Sequence, residues 1–347
     1  MPELFVTNYN RNFTGVSATA ANVLRQQVNR HELVLVGQPL PGCPVPLTRA
    51  AAGRITRKHP PQDRPFAIWH VRRNPEMRSA LWLRDVRGAN IRIVFTSAAQ
   101  RLHSAYPRWL IRQMDAVIAT TERAAEFVPH VRAVVPHGVD TDVFSPATNR
   151  GAAWEQLGFG GTHGIATVGR IRPEKGTDLF VEAMLRLLPE RPGAVALVIG
   201  RAGGKHEAFL TKLKAQVEAA GLAGRLLFVG EYPAADLPKL MRALSLVVQL
   251  PRYEGYGMVP LEALASGVPF VGSDAGYYGA FSNGGRVGKV VPLGAAEAAA
   301  QAALSLLERE DQTALSEAAR HWAEHRFSAR AEADGIEAVY NALWERG

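Results

Sequence analysis

Two carboxylates, Glu254 and Glu262, stand with seven residues between them in the segment LPRYEGYGMVPLEALASGVPFVGSD, residues 250–274. The segment reads as the end of a buried strand (LSLVVQL), a glycine-rich loop, a short helix and a second strand. Pro260 in the first turn and Gly267 just past the end are where a helix start and stop belong. Glu254 then sits in the loop and Glu262 on the helix. The N–H groups of Gly255, Tyr256, Gly257 and Met258 belong to the helix start, where backbone donors attract anions and polar oxygens. Glycine also lets a ligand approach the main chain closely. Donor N–H groups beside carboxylates that accept from hydroxyl pairs suit a phosphorylated polyol, which is the chemistry of a nucleotide-sugar. A lone pair of acids at this spacing would otherwise be a helix cap with two solvated carboxylates.

The elements around this segment alternate. Residues 1–40 read as strand (LFVTNY), loop (NRNFTGVS), helix (ATAANVLRQQVN) and strand (ELVLVG), the beginning of a parallel α/β sheet. Gly15 falls where the first strand gives way to the first helix, with Ser17 available to cap it. Residues 39–65, rich in Pro, Gly and Arg, read as an irregular loop. The strand PFAIWH ends in His70, ahead of Arg72 and Arg73. Ligands of open α/β sheets gather at the carboxyl ends of strands, although a lone histidine there is more often structural. A second unit begins with GIATVGR, IRPEKGT and DLFVEAMLRLL, and AVALVIG, RLLFVG and LSLVVQL continue it. After Asp274 the sequence reads as helical and Ala-rich, with a last helix from about Ala329.

At 347 residues the chain has room for two domains. No apolar run reaches the ~20 residues that span a bilayer, and MPELFVTNYNRN lacks a signal peptide's apolar core. The single cysteine, Cys43, forms no internal disulfide, and no Cys/His cluster has metal-site spacing. These features predict a cytoplasmic protein. Residues 1–150 carry 20 Lys and Arg against 10 Asp and Glu, a net +10, whereas residues 151–347 carry 20 against 22. A one-sided basic half, 19 of its 20 cations Arg, points to an anionic partner, unless it only reflects general Arg usage.

EGYGMVPLEALASGVPFV closely resembles the E-x7-E signature of retaining family-4 glycosyltransferases, whose GT-B fold is two facing Rossmann-like domains. The resemblance implies an α/β chain with an acceptor domain over 1–145, a nucleotide-sugar domain over 146–328 and a helix, 329–347, crossing back to the first domain. The donor would bind in the interdomain cleft. Arg170 and Lys175 match the family's G-R-x-x-x-x-K-G, whose cations hold the donor diphosphate. Preplaced cations stabilise a diphosphate that departs with growing negative charge. Glu254 would hold sugar hydroxyls, Glu262 the ribose, and Gly255, Tyr256, Gly257 and Met258 would contact the donor through main chain. Gly15 would reach the donor phosphates or the acceptor, and Val229 would border the base. His70 would contact the transferring sugar, completing a catalytic set with Arg170, Lys175 and Glu254.

WHVRRNPEM, FTSAAQRLHSAY, WLIRQMDAVIAT and GRIRPEKGTDLFVEAM further resemble lipopolysaccharide core mannosyltransferases. That likeness implies GDP-mannose as donor and an anionic, Kdo-containing lipid as acceptor, met at the cytoplasmic face of the inner membrane. Arg72 and Arg73 then become acceptor-carboxylate clamps, or else two surface arginines at a helix start. No cofactor and no metal are expected: Asp140 and Asp142 spell D-x-D, but in a turn-rich linker, VVPHGVDTDVFSP. Another nucleotide-sugar, UDP-glucose or UDP-N-acetylglucosamine, is the nearest alternative. A non-catalytic anion-binding module leaves the four charged motif residues unexplained. No G-x-G-x-x-G follows a strand, as a dinucleotide oxidoreductase requires, and no nucleic-acid motif is present.

Overall fold

A computed structural model of the chain describes residues 2–12, 14–58 and 63–346. It divides into two compact units, Met1–Asp140 with Phe327–Gly347, and Thr141–Arg326.

The first unit is built on a six-stranded parallel sheet of β1 (Leu4–Asn8), β2 (Leu33–Gly37), β3 (Ala67–Val71), β4 (Ile91–Ser97), β5 (Ala116–Ala119) and β6 (Val131–Val134), in the order β2-β1-β3-β4-β5-β6. Side chains alternate faces along a strand, and both faces are covered. Phe5, Trp69, Val71, Ile93, Phe95 and Val117 enter one buried cluster. Leu4, Val6, Ile68, Val94 and Ile118 enter another, which also takes Ile336, Val339 and Tyr340 of the terminal helix Ala329–Trp344. Ser328 caps that helix by accepting from the Ala331 N–H at 3.1 Å. The second unit repeats the plan with β7 (His163–Val168), β8 (Ala194–Ile199), β9 (Leu226–Gly230), β10 (Leu246–Gln249), β11 (Phe270–Ser273) and β12 (Gly288–Val291), ordered β12-β11-β10-β7-β8-β9.

Both orders have the same consequence. The chain leaves β1 for β2 on one side and later returns to β3 on the other, and β7 likewise lies between β8 and β10. Loops that depart in opposite directions at such a switch point open a crevice at the strands' carboxyl ends, the usual ligand site of an open α/β sheet.

Three sequence expectations change. Residues 39–65 are not all irregular: Arg49–Lys58 is a helix whose Ala51 N–H bonds to Thr48 Oγ1 at 3.2 Å. Its Ala run outweighs Gly53. The segments VRAV and GKVV form β6 and β12, edge strands whose charged Arg132 and Lys289 and partial exposure break the continuous apolar run of a buried strand. Ser17 does not cap the first helix, Gly15–Gln27, because it is buried inside it and Thr14 holds the cap position. Among the described residues no helix is long and apolar enough to cross a membrane.

Candidate active site

In the second unit the loops after β7 and β10 lie side by side because those strands pair, Leu246 opposite Ile165 and Val247 opposite Ala166. Gln249 Nε2 donates to the Val168 carbonyl at 3.1 Å, tying the two strand ends together. The loop after β7 carries Arg170 and Lys175, and the loop after β10 carries Glu254. Lys175 Nζ meets Glu254 Oε2 at 2.5 Å across the switch point. The other carboxylate oxygen, Oε1, accepts from the Gly255 N–H at 3.0 Å. Both partners of the pair keep some exposure, so the ion pair adds little stability and acts chiefly to place the ammonium. The exposed Arg170 guanidinium has no partner among the described residues.

Gly176, which ends the G-R-x-x-x-x-K-G stretch, has φ +68°, and a Cβ there would lie 1.7 Å from the Leu250 carbonyl oxygen. Only glycine lets the two loops approach this closely. Arg252 stitches them further through two bonds to the Asp178 carboxylate at 2.7 and 2.8 Å, while its own N–H donates to the Glu174 carbonyl at 3.0 Å. Sequence reading missed Arg252 and Asp178. The available signal was an acid in the first turn of the helix Thr177–Glu190.

The loop 254–257 rests on a second support that sequence reading also missed. The Tyr277 N–H donates to the Tyr256 carbonyl at 2.9 Å, and the two rings stack at 5.4 Å. A Cβ at Gly257 (φ +91°) would come within 2.3 Å of the buried Tyr278 ring. Tyr256 is therefore buried packing. Gly257 caps the helix Met258–Ala265 in the left-handed region. The Gly255 N–H is already engaged by Glu254, whereas those of Gly257 and Met258 have no partner among the described residues. Val229 lies in β9 at the sheet edge, two strands from β7.

Glu262 lies on the same helix, half-buried and without a side-chain partner among the described residues. Burial pushes its carboxyl up to about 7. The folded state therefore keeps a proton that the unfolded chain has lost, so stability falls as pH rises from about 4.5 to 7. Replacing Glu262 with Gln should raise stability at pH 8 by about 3 kcal/mol, with no gain at pH 4. Denaturant melts at both pH values test this, and a pH-independent difference would refute it. A diol donating to the ionised carboxylate would remove the same penalty.

In the first unit the matching switch point lies between β1 and β3. Glu76, fully buried, accepts from Thr7 Oγ1 at 3.0 Å, the Tyr9 N–H at 3.0 Å and the Arg72 N–H at 2.8 Å. Arg73 donates to Glu76 and Asn8 at 3.2 and 3.1 Å, and to Thr14 and Ser17 at 3.2 and 3.1 Å. Arg73 thus holds the start of the helix that opens at Gly15, and its expected role as an acceptor clamp is corrected: its charge is already matched. Gly15 itself has open space around it.

His70 also needs correction. Its side chain is fully buried, Nε2 pairs with Thr96 Oγ1 at 2.7 Å and Nδ1 with the Tyr340 hydroxyl. Burial, then the Arg72 charge, hold it well below the usual histidine range, so it is neutral. A ring with both nitrogens engaged and no exposed surface does not touch a sugar. It positions β3 against the terminal helix. Arg72 is different: it is nine-tenths buried, burial pulls its pKa down, and Nη1 has no hydrogen-bond partner. Buried guanidinium groups are ordinarily paired, and this nitrogen is not. Asp140 of the D-x-D sequence pairs with Arg25 at 2.9 Å.

Two parallel sheets, with charged loops converging at the switch point of the second, define a two-domain enzyme of the GT-B fold. Residues 155–322 match the family described as glycosyl transferases group 1. The lipopolysaccharide core biosynthesis mannosyltransferase LpcC of Rhizobium leguminosarum bv. viciae is 39% identical over 98% of this chain and 96% of its own length. LpsB of Rhizobium meliloti, which carries the same description, is 38% identical over 98% of this chain and 97% of its own. Among solved structures, Anabaena Alr3699/HepE in complex with UDP superposes with a TM-score of 0.81 at 17% identity, covering 99% of this chain and 100% of that one, a likeness of fold. The C-terminal domain of LpcC from Francisella tularensis, a glycosyl transferase group 1 protein, gives a TM-score of 0.53 at 30% identity over 55% of this chain and 99% of that one. The chain belongs to the group 1 glycosyl transferases, alongside the lipopolysaccharide core mannosyltransferases, and is a hexosyltransferase.

Proposed function

We propose that the protein transfers mannose from GDP-mannose to a Kdo residue of the lipopolysaccharide inner core, with retention of configuration and without a metal. The observation that carries this reading is the near-full-length similarity to two proteins whose names specify mannosyl transfer in lipopolysaccharide core biosynthesis. Arg170 and Lys175 take the donor diphosphate and stabilise it as it leaves. Glu254, steered by the Gly255 N–H, holds sugar hydroxyls, and Glu262 holds the ribose. The departing diphosphate leaves oxocarbenium character on the sugar, and the acceptor hydroxyl attacks from the same face. No side chain stands out as a nucleophile or general base, so a donor phosphate oxygen takes the acceptor proton. Arg72 is the residue suited to the carboxylate that Kdo carries. The acceptor is lipid-borne, and the enzyme meets it at the cytoplasmic face of the inner membrane.

A ligand that binds only the folded state raises the melting temperature, by about 2.7 kcal/mol of stability at a hundredfold excess over Kd. GDP-mannose should raise it, whereas UDP-glucose, UDP-N-acetylglucosamine and NAD should not. A shift with a UDP-sugar alone would keep the transferase chemistry and overturn the donor.

A further inference from the structure

Outside the switch points, one surface departs from ordinary composition. The helix Asn74–Leu81 runs on through a wider π-turn, Trp82–Val86, and packs beside the helix Ala105–Arg112. Their inner sides carry Met77, Ala80, Leu81, Leu83, Leu110 and Ile111 into the core. On the outside, Trp82, Val86, Leu102, Tyr106 and Trp109 are each more than half exposed. Of the six tryptophans in the chain, only Trp82 and Trp109 are exposed to this degree, so burial is not what retains them. Tyr106 and Trp109 stack on each other at 6.4 Å, and the Arg87 guanidinium lies 5.2 Å over the Trp82 ring.

The exposed charge on and beside these elements is mostly positive. Arg78, Arg87, Arg101, Arg108 and Arg112 are exposed, and none is paired with an acid among the described residues. Between residues 77 and 112 the only acid is Asp85, which Arg84 neutralises at 2.7 Å. Exposed Trp, Tyr and Leu interleaved with unpaired Arg match the requirements of a bilayer interface: amphipathic rings at headgroup depth, with cations against anionic headgroups. A second copy of the chain is disfavoured, since it would set five arginines against five.

We infer that the face formed by these two helices docks the enzyme on an anionic phospholipid bilayer. The inference rests on the proposed lipid-borne acceptor for its purpose, and it specifies which surface meets the membrane. Trp109 and Tyr106 insert at the headgroup boundary while Arg108, Arg112 and Arg87 contact phosphates. A docked enzyme searches for its lipid acceptor in two dimensions.

The full chain is mixed with vesicles of phosphatidylcholine alone, or of phosphatidylcholine with phosphatidylglycerol, and sedimented. Binding is expected only with phosphatidylglycerol, weakening as salt is added. Each of Arg108→Ala and Arg112→Ala lowers apparent affinity about fivefold, the equivalent of ~1 kcal/mol per surface cation. Trp109→Ser and Tyr106→Ser also release the protein, and their exposure keeps the melting temperature close to that of the parent. Vesicle binding that survives these substitutions, or no binding to anionic vesicles, overturns the docking face. Turnover on a lipid-free Kdo saccharide separates the two ideas. The docking variants should keep it; its absence in the parent protein would sink the acceptor reading instead.

Discussion

Replacing Lys175 with Ala should lower kcat for mannosyl transfer by about a hundredfold to a thousandfold, while stability changes by less than about 1 kcal/mol. The two expectations come from one geometry. Lys175 reaches Glu254 at 2.5 Å, yet both side chains keep roughly a quarter of their surface in water. Such a pair is worth little to the fold. The ammonium has three donors, and Glu254 takes one. The others are free for the oxygens of a departing diphosphate, where a fixed charge counts most as negative charge grows. Lys175→Arg retains the charge but not the compact fit against Glu254, and should recover only part of the rate. Glu254→Gln should weaken turnover too, and the double variant should fall short of the two losses combined, because the pair acts as one unit. Steady-state kinetics with melts on the same samples decide it. Turnover near the parent value in Lys175→Ala would remove the diphosphate role, and an equal fall in stability and rate would make the residue structural.

What could be read in the sequence follows from where the information lies. The strand–loop–helix–strand around Glu254 and Glu262 was legible because Pro260, Gly267 and the two apolar runs are local signals. The parallel α/β architecture was legible because the central strands of both sheets are buried and read as continuous apolar runs. The meeting of Lys175 with Glu254 is a different kind of fact. The residues are 79 apart in sequence, and their contact depends on β7 pairing with β10, which only the strand order decides. The stitch from Arg252 to Asp178 and the tyrosine support behind Gly257 depend on the same adjacency. His70 was misread for a related reason. The Tyr340 hydroxyl that occupies its Nδ1 arrives from a helix 270 residues away, so nothing near His70 announces its burial. Arg72 and Arg73 were neighbours that sequence could not tell apart. Glu76, one helical turn on, takes the Arg73 guanidinium and the Arg72 backbone N–H, and leaves the Arg72 guanidinium unmatched.

That asymmetry gives the second large effect. Arg72→Met should leave the unliganded protein as stable as the parent or stabilise it by about 1–4 kcal/mol, because a long apolar side chain replaces a buried, unmatched charge. The same substitution should lower kcat/KM for the acceptor by about thirtyfold to a few thousandfold, as expected when one partner of a buried charge pair is removed. Stability and activity moving in opposite directions is the signature of a residue kept for its ligand at the expense of the fold. A purely structural arginine would lower both together. The acidic groups nearest Arg72 do not alter the expectation. Glu332 is held by the His137 ring at 2.8 Å and the Gly138 N–H at 2.7 Å, and Glu76 by Thr7, Tyr9 and Arg73. Their fields keep the guanidinium charged without giving it a hydrogen-bond partner. Arg73→Met, by contrast, removes four hydrogen bonds that organise the loop before Gly15 and should destabilise the protein. Running the two variants side by side, with melts and acceptor kinetics on each, distinguishes the arginine that waits for an anion from the one that already has its partner.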